Sequence, residues 1–134
     1  MRQLFAICII IFSTSVLASE PCPILVAKKH NAERQIRNIP LLKYNQDLFD
    51  NAQNHATWMA QSGSLRHQRL GKQGWRMMGE NIAMGQRTED QVMNGWMQSS
   101  GHRSNILNRG YEYIGVGIAK GNRGLFWCVV FGKK

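Results

Sequence analysis

The chain has 134 residues, a formal net charge of +9 and 43% hydrophobic residues, which suits one domain with a single core. The positive charge favours anionic partners such as cell-envelope polymers, lipid head groups or nucleic acid. The basic residues are scattered, however, and no aromatic ladder accompanies them. This distribution argues against a single-strand nucleic-acid binder.

The first 18 residues have the pattern of an export signal. Arg2 gives a positive start, residues 4–11 are an apolar run, and Ala18 ends a stretch of small or tolerated residues. We therefore expect cleavage near Ala18, a domain of residues 19–134, and secretion or a periplasmic location. The apolar run is too short for a membrane span, and we expect none in the mature chain, which we predict to be a monomer.

Two cysteines, Cys22 and Cys128, remain after this cleavage. An even pair of cysteines in a small domain of an oxidising compartment predicts a disulfide bond between them.

Hydrophobic periodicity predicts four helices, at about residues 23–38, 45–63, 88–99 and 102–108. In the first helix, Leu25, Ala32 and Ile36 form the apolar stripe. His30 and His55 lie in the first and second helices, and we predict packing or structural roles for both.

The chain ends in a predicted β-hairpin. Residues 113–120 alternate between apolar residues and glycines, residues 121–124 form a turn, and a second strand covers residues 125–131. Gly115 and Gly117 share one face of the first strand, which indicates that a helix packs closely there. Helices followed by a hairpin predict an α+β fold with helices covering the sheet.

His67, Glu80 and His102 lie at segment ends or in loops, where functional side chains concentrate. Three interpretations of these residues stay open. Two imidazoles and a carboxylate are a three-ligand set for zinc. The same groups suit general acid–base catalysis on RNA. A Ser99–His102–Glu80 arrangement would support nucleophilic catalysis, provided that an oxyanion hole exists.

Six fragments carry a family resemblance when they are taken in order. They are HNAER (30–34), AQNHA (52–56), GSLRH (63–67), GENIA (79–83), WMQSSGHRSNIL (96–107) and IGVG (114–117). In this order they resemble the CAP superfamily, also called the SCP-like extracellular domain, which comprises cysteine-rich secretory proteins, antigen 5 proteins and plant pathogenesis-related proteins. With its short loops and few cysteines, this chain is similar to the bacterial branch of the family.

The resemblance implies an α-β-α sandwich with a small antiparallel sheet between helices. It also implies that His67, Glu80 and His102 meet in a central cleft, which in some relatives holds zinc or another divalent cation. Ser99 stands where many relatives carry an acidic residue, and a neutral hydroxyl is a poorer metal ligand than a carboxylate.

Family members have been linked to sterol or fatty-acid binding, to protease activity and to envelope or host interactions, so the fold alone does not define an activity. We expect an exported binding module whose partner is a lipid or an anionic envelope polymer. The alternative is a metal-dependent or serine-type hydrolase that uses the same cleft residues.

Overall fold

The computed structural model describes residues 18–71 and 74–134. The predicted signal segment lies outside these residues except for Ala18. In chain order the described residues form α1 (Pro23–Gln35), β1 (Lys43–Tyr44), α2 (Gln46–Ser62), β2 (Met77–Met84), α3 (Glu89–Met97), α4 (Ser100–Ile106), β3 (Tyr113–Gly121) and β4 (Gly124–Lys133). Every helix in this part of the chain is too short or too polar to span a bilayer.

The strands form one sheet in the order β1-β3-β4-β2. β3 and β4 are the predicted antiparallel hairpin, in which Gly121 pairs with Gly124, and β2 is antiparallel to β4. β1 is parallel to β3, with Lys43 paired to Tyr113. The sheet is therefore mixed: the predicted small antiparallel sheet is formed by β2, β4 and β3, and the parallel β1 adds an edge strand that is too short to show an alternating pattern in the sequence.

The helix α2 lies directly on the glycine face of β3. A Cβ atom at Gly115 would overlap the backbone of Leu48, and one at Gly117 would overlap the backbone of Ala52. The bare glycines therefore let the helix approach the strand at backbone distance. This close contact confirms the helix that the sequence predicts on that face.

The other helices cover the opposite face of the sheet. Val26 and Ala27 of α1, Trp96 of α3 and Ile106 of α4 are buried in one apolar cluster with the β4 residues Trp127, Val129 and Phe131. A second cluster joins α2 to the face of the sheet that carries Gly115 and Gly117. It contains Leu48, Ala52, Met59, Phe126 and Val130. The two clusters form a helix–sheet–helix sandwich, which confirms the predicted α+β class.

The buried face of α1 differs from the predicted one. Leu25, Ala32 and Ile36 are exposed, whereas His30 and Arg34 are fully buried. The guanidinium of Arg34 donates hydrogen bonds to four backbone carbonyls, those of Pro40, Ile106, Asn108 and Tyr111. The prediction is wrong because hydrophobic periodicity cannot register carbonyl partners that lie up to 77 residues away.

His30 has the structural role that the sequence predicts. Its Nδ1–H donates to the carbonyl of Val26 at 2.8 Å. Its ring lies 5.7 Å from that of Trp96 and 5.6 Å from that of Phe131, measured between centroids. His30 therefore fills the space where α1 meets α3 and the sheet.

The predicted disulfide is wrong, because Cys22 and Cys128 are both free thiols. Cys22 precedes α1, and its backbone N–H donates to Glu89 at 2.8 Å. Cys128 is buried in the cluster beneath α2. The two thiols belong to opposite faces of the sheet, so the sheet separates them.

Candidate functional site

Glu80 is the most constrained residue of the predicted site. Its side chain is only 3% exposed, and it points from β2 toward α2. Oε1 accepts from His67 Nδ1–H at 2.8 Å and from the Gln68 backbone N–H at 3.2 Å. Oε2 accepts from Gln68 Nε2 at 2.7 Å and from the Cys128 thiol at 3.6 Å. A carboxylate has about four lone-pair sites, and here four donors occupy them.

His67 is held by Glu80 but remains accessible. It lies in the segment that follows α2, and its side chain is 63% exposed. The hydrogen bond to Glu80 uses Nδ1. A carboxylate on one ring nitrogen orients the imidazole and leaves Nε2 as the nitrogen that meets a ligand.

His102 forms a separate pair with Ser99. Its Nδ1 lies 2.9 Å from Ser99 Oγ, across the first turn of α4. Burial lowers the pKa of His102, and the neighbouring His67 lowers it further. The imidazole of His102 is therefore held in its neutral form at neutral pH.

Two asparagines from the sequence motifs fix α4 against β2. Asn81 Nδ2 donates to the carbonyl of His102 at 2.9 Å. Asn105 Nδ2 donates to Asn81 Oδ1 at 2.9 Å and to the Glu80 carbonyl at 3.2 Å. These bonds set the position of His102 relative to Glu80, so both asparagines support the site without lining it.

The predicted residues form two pairs, His67 with Glu80 and Ser99 with His102. In the described part of the chain, no three histidine, cysteine, aspartate or glutamate side chains are placed to hold a metal ion. The Ser99–His102–Glu80 arrangement does not form either, because the Glu80 carboxylate bonds to His67 instead of His102.

Two small cavities border these pairs. One of about 270 Å³ is lined by Leu65, Trp96, Ser99 and His102, among others. The other, of about 350 Å³, is lined by His55, Trp58, Arg66, His67 and Gln68. We call the second cavity the Trp58 pocket.

Sequence reasoning missed Gln68 and Cys128, which supply three of the four hydrogen bonds to Glu80. Gln68 directly follows a motif histidine, and this adjacency was the only signal in the sequence. Cys128 contacts Glu80 across 48 residues of sequence, which no local pattern records.

Comparison with known proteins decides the family. The profile of the cysteine-rich secretory protein family, CAP, matches residues 27–131. The chain belongs to the CAP family. This match confirms the resemblance drawn from the six motifs.

Several bacterial proteins are similar to this CAP domain. YkwD of Bacillus subtilis (strain 168) is 33% identical over 117 residues, which is 79% of this chain and 45% of YkwD. An extracellular protein of Bacillus anthracis with an SCP domain is 29% identical, with a TM-score of 0.76 over 84% of this chain and 40% of that protein. The CAP domain thus spans less than half the length of these two relatives.

The fold also occurs in a chain of comparable length. An outer surface protein of Borrelia burgdorferi is 20% identical, with a TM-score of 0.76 over 83% of this chain and 91% of that chain. At this identity the likeness concerns the fold alone.

Proposed function

We propose that this CAP domain is an exported ligand-binding module, with its ligand held at the surface where the cavities lined by His67 and by His102 lie, which we call the cleft. Export is supported by the signal-like residues 1–18 and by the extracellular location named for the similar Bacillus anthracis protein. The accessible imidazole of His67 and the half-exposed Leu65 provide polar and apolar contacts on one rim.

The saturation of Glu80 by four donors carries this proposal. A general base must reach the proton that it abstracts, directly or through one water molecule. Glu80 is nearly inaccessible, and each of its oxygens already accepts two hydrogen bonds. These contacts therefore favour a structural role for Glu80, as the hydrogen-bond acceptor that orients His67.

A serine-type hydrolase is the second candidate, and one contact favours it. Ser99 Oγ lies 2.9 Å from His102 Nδ1, within the range of a nucleophile and its base. The orienting carboxylate, however, is on the other histidine. The same contact is also a local bond within the first turn of α4, which requires no catalytic role.

A divalent cation such as zinc is a further proposal for this cleft, with two protein ligands instead of three. Glu80 offers no free lone pair, so a three-ligand set with His67 and His102 is not supported. The remaining donors are the imidazole nitrogens of the two histidines. Isothermal titration with zinc, in wild type and in His67→Ala, tests whether these two nitrogens suffice.

Turnover assays separate the binding module from the hydrolase. The exported protein is incubated with peptide, ester and RNA substrates, alongside Ser99→Ala and His102→Gln. Ser100→Ala is a matched control, because Ser100 is the exposed neighbour of Ser99. We expect no turnover above that of the buffer. Turnover that is lost in Ser99→Ala and His102→Gln but kept in Ser100→Ala would replace the binding module by the hydrolase.

The nature of the ligand is tested on the protein as it is exported. The positive charge supports an anionic envelope polymer. Lipid extraction followed by mass spectrometry distinguishes this partner from a lipid. A stoichiometric lipid in the extract would make the domain a lipid carrier.

A further inference from the structure

Trp58 is a large apolar side chain that is held rigidly at the surface. It is 45% exposed and lies in α2, one turn after His55. The two rings are parallel within 9°, with their centroids 5.6 Å apart. His55 Nε2 lies 2.6 Å from the carbonyl of Arg66, which ties this stack to the segment that carries His67. The indole is therefore preorganised, and a ligand that binds it loses little side-chain entropy.

The Trp58 pocket contains cationic and polar groups and no acid. Its lining consists of His55, Trp58, Arg66, His67 and Gln68, and its volume is about 350 Å³. Arg66 is exposed, and among residues 18–71 and 74–134 it forms no salt bridge. Its guanidinium therefore remains available to an anion.

The chemistry of this lining defines the ligand. A guanidinium matches the geometry of a carboxylate or phosphate through two parallel hydrogen bonds. An indole offers a flat apolar face with one polar N–H. Imidazole and amide groups exchange hydrogen bonds with hydroxyls. A ring that carries both hydroxyls and an acidic group satisfies all of them.

Two other ligand classes fit this lining less well. An acyl chain would remove the guanidinium of Arg66 from water without giving it a partner. Single-stranded nucleic acid requires several aromatic platforms along a basic groove, whereas this lining has one indole.

We propose that the Trp58 pocket binds an acidic oligosaccharide, with a sugar ring against Trp58 and its carboxylate on Arg66. This inference rests on the proposed binding function and names its ligand class. The net charge of +9 favours the approach of such a polyanion. His67 lines this pocket as well, which joins the pocket to the cleft.

The test compares three probes on the full protein. Oligogalacturonate has sugar rings and carboxylates, malto-oligosaccharide has rings without charge, and polyphosphate has charge without rings. Affinity is measured by isothermal titration, and the Trp58 indole N–H is followed by NMR after assignment with Trp58→Phe. We expect oligogalacturonate to bind most tightly and to shift the Trp58 signal.

Matched variants locate the binding. Trp58→Ala and Arg66→Gln should each weaken oligogalacturonate about tenfold, the effect of losing one aromatic stack or one charged hydrogen bond. Tyr44→Ala removes an aromatic ring of similar exposure, and Lys28→Gln removes one positive charge on α1. Both controls should retain the wild-type affinity.

Three results would overturn the inference. They are an absence of oligogalacturonate binding, equal binding of polyphosphate, and an equal loss of affinity in Lys28→Gln and Arg66→Gln. If turnover depended on Ser99 and oligogalacturonate still shifted the Trp58 indole signal, the proposed binding function would be contradicted and this inference would stand. A ligand that shifts His67 and His102 while oligogalacturonate leaves Trp58 unchanged would contradict this inference alone.

Discussion

The thiol of Cys128 donates a hydrogen bond to Oε2 of Glu80 across 3.6 Å. This contact joins the central strand β4 to the site on β2. The pKa of Cys128 is raised well above its ordinary value by burial, and the nearby Glu80 raises it further. Cys128 therefore acts as a neutral donor beneath the cleft and not as a partner for Cys22.

The two thiols should differ in reactivity because they differ in burial. Cys22 is exposed, whereas Cys128 is buried and its thiolate is disfavoured. In the native protein, iodoacetamide should modify Cys22 and leave Cys128 unmodified, while both should react in denaturant. Peptide mapping by mass spectrometry gives the answer. A Cys22–Cys128 disulfide, or equal modification in the native protein, would contradict this account.

Replacing Glu80 by glutamine should destabilise the fold. The amide cannot accept four hydrogen bonds, and its own donors would face those of Gln68. We expect Glu80→Gln to lower the free energy of unfolding by about 1–3 kcal/mol, as measured in urea. Glu33→Gln is the control, since Glu33 pairs with Arg37 at the edge of α1. Equal effects of the two changes would indicate that the network adds no stability.

His30 makes the fold sensitive to acid. Burial lowers its pKa from 6.5 to about 4, although the bond to Val26 partly opposes this shift. The folded state therefore favours neutral His30. This contribution is complete above pH 6.5 and is lost as the pH falls from 6.5 to 4, amounting to about 3 kcal/mol.

Urea unfolding at several pH values measures the contribution of His30. The free energy of unfolding of the wild type should fall between pH 6.5 and 4 by more than that of His30→Leu. Parallel pH profiles for the two proteins would show that His30 is not the acid-sensitive group.

Close packing between α2 and β3 predicts the effect of a single methyl group. Gly115→Ala would place a Cβ atom on the backbone of Leu48. We expect a loss of several kcal/mol, of about the size of severe overpacking. Gly101→Ala is the matched control, because nothing lies within 4 Å of its added Cβ. In α4 the control change should be neutral or stabilising, by about 0.5–1 kcal/mol.

Those parts of the fold that local interactions determine were predictable from the sequence. Asn45 Oδ1 accepts from the Leu48 N–H at 3.1 Å, and Gly63 ends α2 with a φ of +65°. The hairpin turn was likewise correct. Each feature depends on residues a few positions apart, which periodicity and capping rules describe well.

One smaller local detail differs from the predicted one. The helix α4 starts at Ser100, two residues before the predicted His102.

The bonds around Glu80 were beyond the sequence because they are long-range. The family resemblance implied that His67, Glu80 and His102 meet, and in the structure His67 lies next to Glu80. The motifs did not indicate that Gln68 and Cys128 would saturate the carboxylate, and of the Ser99–His102–Glu80 hypothesis the structure contains only the Ser99–His102 contact. Such pairings depend on how β2, β4 and α2 pack together, and one chain offers no local pattern for that packing.

The central claim is that Glu80 serves His67 and not His102, which makes the cleft a binding site. Long-range ¹H–¹⁵N NMR of the histidine rings tests it directly. We predict that a hydrogen-bonded Nδ1–H signal belongs to His67 and disappears in Glu80→Gln, while the His102 signals remain unchanged. A Nδ1–H signal of His102 that disappears in Glu80→Gln would instead establish a Ser99–His102–Glu80 arrangement and contradict the account.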